Sequence, residues 1–92
     1  MKFMSVWSVY PGKKAEAIAK FLSTGAPTPQ GVKILGRWHK GDFTGGFTLT
    51  EGDDPKAMYE SSAEWSDLLD IHISPVIEDG DAGAVLAKLF KK

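Results

Sequence analysis

Apolar and polar positions alternate at two different periods along this chain, and the changes of period mark out its elements. In Lys2–Tyr10 (KFMSVWSVY), Phe3, Trp7 and Val9 share one parity, and Met4, Val6 and Tyr10 share the other. Successive strand residues face opposite ways, so this strand is apolar on both faces, as a central strand covered from two sides would be. Pro11–Gly12 ends it. Over Lys13–Ser23 the spacing becomes helical. Ala15, Ile18, Ala19 and Leu22 form one stripe, widened by Phe21, and Lys13, Lys14, Glu16 and Lys20 lie off it. Gly25 suits the position just past the helix end, with Pro27 beyond it. Thr24–Gly31 is a connector stiffened by Pro27 and Pro29.

Val32–His39 (VKILGRWH) returns to period two. Val32, Ile34, Gly36 and Trp38 fall on one face, and Lys33, Leu35, Arg37 and His39 on the other. The glycine-rich turn Lys40–Gly46 leads into Phe47–Glu51, where Phe47, Leu49 and Glu51 alternate with Thr48 and Thr50, so the pair reads as a hairpin. Asp54 as N-cap and Pro55 at the first helical position start a second helix that runs to about Asp67. Ile71–Ile77 is a last strand, and Pro75, which has no N–H for a ladder bond, predicts an edge position. A terminal helix begins at Asp79–Gly80–Asp81 and runs to Phe90. Ala82, Val85, Leu86 and Leu89 form its apolar stripe, and Lys88, Lys91 and Lys92 stand at the negative end of its dipole.

The order β-α-β-β-α-β plus a terminal helix predicts an α+β, ferredoxin-like fold, one domain over residues 1–92, with the first strand central and the last at an edge. Two helices cover one face of such a sheet, which leaves apolar residues of the first strand facing outward. The expected remedy is a homodimer that packs sheet face on sheet face. The alternative is a terminal helix folded back over the open face.

Composition narrows the function by exclusion. The chain has 92 residues, enough for one core. Without cysteine it has no disulfide, thiolate zinc site or Fe–S cluster. Eleven basic and twelve acidic residues are interspersed, giving a net charge of −1 and no basic stripe, so no nucleic-acid partner is expected. No apolar run approaches a membrane span, so no membrane partner is expected, and Met1–Val9 is too short and polar for a signal-peptide core. The expected location is the cytoplasm.

The opening KFMSVWSVYPGKKAEAIAKFLSTGAPTPQGVKILGRWH, then GGFTLTEGDDP, then AEWSDLLDIHISPVIEDGDAGAVLAKL, resembles the DUF3303 family of small bacterial proteins, with GRWH (Gly36–His39) and EWSDLL (Glu64–Leu69) as the most specific segments. The resemblance covers Lys2 to about Leu89. It implies a fold of the dimeric α/β-barrel type and a homodimer, and it carries over no catalytic residue. The wider superfamily includes cofactor-free monooxygenases, haem-degrading enzymes and muconolactone-isomerase-like proteins, so any activity drawn from it is analogy.

Few residues offer chemistry. Arg37 and His39, two apart on one strand face, could bind an anionic oxygen and move a proton. His72 on the last strand is a third polar candidate. Glu51 is a candidate base if its face is buried, alongside His39. Trp7 and Trp38 could wall an apolar pocket, with Trp65, Tyr10 and Tyr59 nearby in kind. No HxH, HxxxH or HExxH spacing occurs, so no metal is expected, and no cofactor. The function expected is binding of a small, partly apolar molecule in a cleft between sheet and helices. A cofactor-free monooxygenase- or isomerase-like enzyme, and an interaction module without a ligand site, are the alternatives.

Overall fold

The computed structural model describes residues 1–91, so Lys92 of the basic tail lies outside the described residues. The chain runs β1 (Lys2–Val9), α1 (Lys14–Thr24), β2 (Lys33–His39), β3 (Gly45–Glu51), α2 (Pro55–Trp65), β4 (Leu69–Val76) and α3 (Asp79–Phe90). The four strands form one antiparallel sheet in the order β2-β3-β1-β4. This is the α+β ferredoxin-like arrangement with an extra C-terminal helix. β1 is central, and the strand that carries Pro75 is at an edge.

The caps lie where the residue chemistry placed them. The Asp54 carboxylate accepts the Lys56 N–H at 2.9 Å, and Pro55 takes the first turn of α2. Asp54→Ala is expected to cost about 1 kcal/mol, a fall of roughly 4–8 °C in Tm for a domain of this size, measured by far-UV circular dichroism on heating. At the end of α1, Gly25 adopts φ 71° and its N–H returns to the Phe21 carbonyl at 2.7 Å. α2 stops at Trp65, short of the expected Asp67, and the next residues turn directly into β4.

The two faces of the sheet are furnished in an unexpected way. Toward α1 and α2 point Phe3, Ser5, Trp7 and Val9 of β1, matched by Thr50 and Thr48 of β3 and by Ile73 and Ile71 of β4. Away from the helices point Met4 and Val6, Leu49 and Phe47, and Trp38. The helix-covered face is therefore poor in bulk, and Ser5, Thr48 and Thr50 are buried on it. The closed core is a small cluster of Phe3, Val32, Ala57 and Met58 with Ile73 packed against it.

One expectation about faces fails. A bulge between Ile34 and Gly36 sets Ile34 opposite Thr50 but Gly36 opposite Leu49. Ile34 thus joins the helix-facing side, and the regular alternation expected across Val32–His39 is broken by one residue. Beyond the bulge, Arg37 opposes Thr48 and His39 opposes Gly46, so both face the helices, while Gly36 and Trp38 face outward. The Trp38 ring lies across Gly36, where a side chain would overlap it.

α3 does not fold back over the open face. It has no buried residue; Leu89 and Phe90 are 66% and 72% exposed. A Lys2–Glu78 ion pair ties the start of α3 to the start of β1. The helix then extends away, and the molecule measures 55 × 29 × 18 Å. Its radius of gyration, 15.7 Å, exceeds the roughly 12 Å of a compact chain of this length. Among the described residues no helix is long and apolar enough to cross a membrane.

Candidate functional site

Small side chains on the helix-facing side leave space that the helices roof over without filling. The result is a cavity of about 540 Å³ between the sheet, α1, the 26–29 connector and the last turns of α2. That lies within the range of small-molecule sites. Ser5, Thr48 and Thr50 lie on its floor, and Trp7, Phe21 and Trp65 are its main aromatic walls.

The two helices above it are held by cations that neither carries in its own last turn. Lys20 of α1 donates from Nζ to the Glu64 carbonyl near the end of α2, and its ammonium sits 4.7 Å from the centre of the Trp65 ring. Arg37 of β2 does the same for α1. Its guanidinium donates to the Ala26 carbonyl at 2.7 Å and the Gly25 carbonyl at 3.4 Å. Gly25 and Ala26 (φ 45°) are consecutive left-handed residues, and this turn offers their carbonyls to Arg37. Left-handed backbone is costly for alanine, and the Arg37 bond and the favourable end of the helix dipole offset it. Arg37 is half-buried, and burial pushes its guanidinium below its ordinary pKa; so basic a group remains charged at neutral pH.

His39 sits at the mouth, its ring edge-to-face with Trp7 and with Phe21, each at 5.3 Å between centroids. Trp7 is fixed in turn by a bond from Nε1 to the Thr48 hydroxyl at 3.3 Å and by lying across Gly46. The Arg37 guanidinium carbon is 5.8 Å from the centre of the same Phe21 ring, so Phe21 links the two polar candidates. Across the mouth, Phe43 of the β2–β3 turn approaches Lys14 of α1, 5.8 Å from ring centre to ammonium.

The structure brings Arg37, His39 and Trp7 into one cavity and leaves out the other candidates. Trp38 faces outward and is 55% exposed. His72 opposes Val6 on that same outward face, where its ring meets Asp70 at 3.3 Å. Glu51 opposes Lys2 and Lys33 there, exposed. Each misses the cavity for the same reason: it lies on the outward face, and the helices cover the Thr48–Thr50 parity of β3. Trp65 does line the cavity, and Phe21 and the Gly25–Ala26 carbonyls complete the surroundings of Arg37. The carbonyls were foreshadowed by Gly25 as a helix stop; nothing in the spacing connected that stop to Arg37. Among the described residues no three His, Asp or Glu side chains gather as a metal site would require.

The family model of a domain of unknown function, DUF3303, matches residues 1–90. No curated protein matches the chain, and no solved structure does.

Proposed function

The chain belongs to the DUF3303 family, which is defined by a domain and not by a reaction, and from that premise we propose a function from the chemistry of the cleft: the protein binds a small, partly apolar molecule between its sheet and its first two helices. The observation that carries this is the 540 Å³ cavity itself, bounded by Trp7, Phe21 and Trp65. A cavity of this size lined by aromatic rings leaves dispersion contacts unmade, and a ligand supplies them. Of the two candidate bases of the enzyme reading, His39 or Glu51, His39 reaches this space.

Titration with naphthamide, a neutral aromatic probe, tests the proposal. Saturable quenching of tryptophan fluorescence is expected, since Trp7 and Trp65 form the walls. Ser5→Phe, which fills the floor, is expected to weaken the probe about tenfold, a loss of about 1.4 kcal/mol, with the circular dichroism spectrum kept. No saturable quenching by an aromatic probe up to its solubility would end this reading.

We also propose a homodimer through the outward sheet face. Met4, Val6, Phe47, Leu49 and Trp38 form its apolar centre, and Lys2, Lys33, Glu51, Asp70 and His72 form a charged border. An apolar centre inside a polar rim is the anatomy of an interface, and a two-fold axis makes one patch its own complement. Strands about 4.8 Å apart and rising about 3.3 Å per residue give this face an extent on the order of 19 by 25 Å. That is roughly 475 Å² in projection, and the apolar stripe of α3 laid against the partner adds to it toward the order of 800 Å² a side that stable interfaces bury.

A further inference from the structure

The cavity is unbalanced in charge. Lys14, Arg37 and Lys40 line it, together with His39. Among the described residues that line it there is no Asp or Glu. Arg37 is the decisive member, because it is half-buried and its partners are two neutral carbonyls. A guanidinium carries five N–H donors, and two of them reach Gly25 and Ala26. A buried charge without a counter-charge is costly, and nothing on the cavity wall supplies one.

The surroundings also fix what an incoming counter-charge must carry with it. Arg37 and His39 lie two residues apart on one strand face, about 6.6 Å along the strand. Phe21 stands beside both, and Trp7 also packs on His39. A group reaching both side chains must therefore enter beside these two rings. The floor of Ser5, Thr48 and Thr50 adds hydroxyls but no charge.

We propose that the ligand of this cleft is an apolar, ring-containing monoanion, a carboxylate or phenolate, whose charged oxygen is held by Arg37 with His39 as second donor and whose ring lies among Trp7, Phe21 and Trp65. This rests on the reading of the cleft as a small-molecule site and specifies its substrate class. Arg37 supplies planar paired donors that match a carboxylate. His39 presents one ring N–H in either neutral tautomer, which makes it the second donor.

Naphthoate and naphthamide, equal in shape and different in charge, separate the two levels of the argument. Naphthoate is expected to bind at least about tenfold more tightly than naphthamide at neutral pH, the scale of one charge-assisted bond pair. Arg37→Gln is expected to remove that preference. His39→Gln, which disturbs no backbone bond, is expected to reduce the preference several-fold. Equal binding of the two probes by the wild-type protein would overturn the anion assignment and leave the apolar cleft standing. Quenching by neither probe would remove the cleft reading itself. If Arg37→Gln does not fold, because Gly25 and Ala26 lose their donor, the wild-type ratio and the His39 variant decide the matter.

Discussion

Gly46→Val is expected to lower the stability of this protein by about 3 kcal/mol, at the upper end of overpacking costs. In a domain whose whole stability is on the order of 5–10 kcal/mol, that corresponds to a fall of about 15 °C in Tm. Gly46 sits in β3 between β1 and β2, opposite Trp7 on one side and His39 on the other. A Cβ there would overlap the Trp38 carbonyl and the edge of the Trp7 indole. The first is backbone in a paired strand and cannot turn aside. The second is locked by its bond to Thr48. Relief requires β2 to move away from β3 or Trp7 to swing into the cavity, so probe binding should fall together with stability. Gly41→Ala is the control: nothing stands within 4 Å of a Cβ at that position, and an effect within about 0.5 kcal/mol is expected. Equal melting temperatures for Gly46→Val and wild type would show that Trp7 is not held as described.

The way the same glycine works on both the sheet and the cavity bears on what the sequence could disclose. Element order was readable because each period is long enough to be counted and each stop has its own chemistry: Pro11–Gly12, Gly25, and Asp54–Pro55. The central place of β1 and the edge place of β4 followed from the two-faced apolarity of the one and the proline of the other. Face assignment was less accessible. In β2 the alternation slips at Leu35, because a bulge adds one residue that a period-two count cannot see. Arg37 and His39 kept their shared face since both lie after the slip. In β3 the alternation separates Phe47, Leu49 and Glu51 from Thr48 and Thr50 without saying which set the helices cover, and they lie over Thr48 and Thr50. A strand with apolar residues on one face does not say whether a helix or a second copy covers that face. The cavity itself was invisible for a related reason. It exists because Ser5, Thr48, Thr50 and Gly46 are small at positions where the fold brings them side by side, and their spacing in sequence carries no sign of that adjacency.

The same face assignment makes the strongest prediction about assembly. Wild-type protein at micromolar concentration is expected to sediment at about twice its 10.0 kDa chain mass, and the double variant Val6→Asp, Phe47→Asp at the single-chain mass. Val6 and Phe47 are cross-strand partners at the centre of the outward face, with Trp38 next in the row. In one chain they are 37% and 39% exposed, so carboxylates there stay hydrated and the fold is kept. In a two-fold dimer four carboxylates would meet in an apolar contact. Breaking the fit with unpaired buried charge costs about 3–5 kcal/mol per site by analogy with broken buried pairs, which raises the dimer Kd by about a thousandfold or more. A melting curve separates this from unfolding: the variant should still melt cooperatively, at a temperature that no longer rises with protein concentration. Replacing Val85 and Leu89 on α3 by aspartate reads the helix separately, and an intermediate Kd is expected if α3 lies on the partner. A wild-type mass of one chain at high micromolar concentration would overturn the dimer, and an unchanged dimer in the Val6, Phe47 variant would move the contact to another surface.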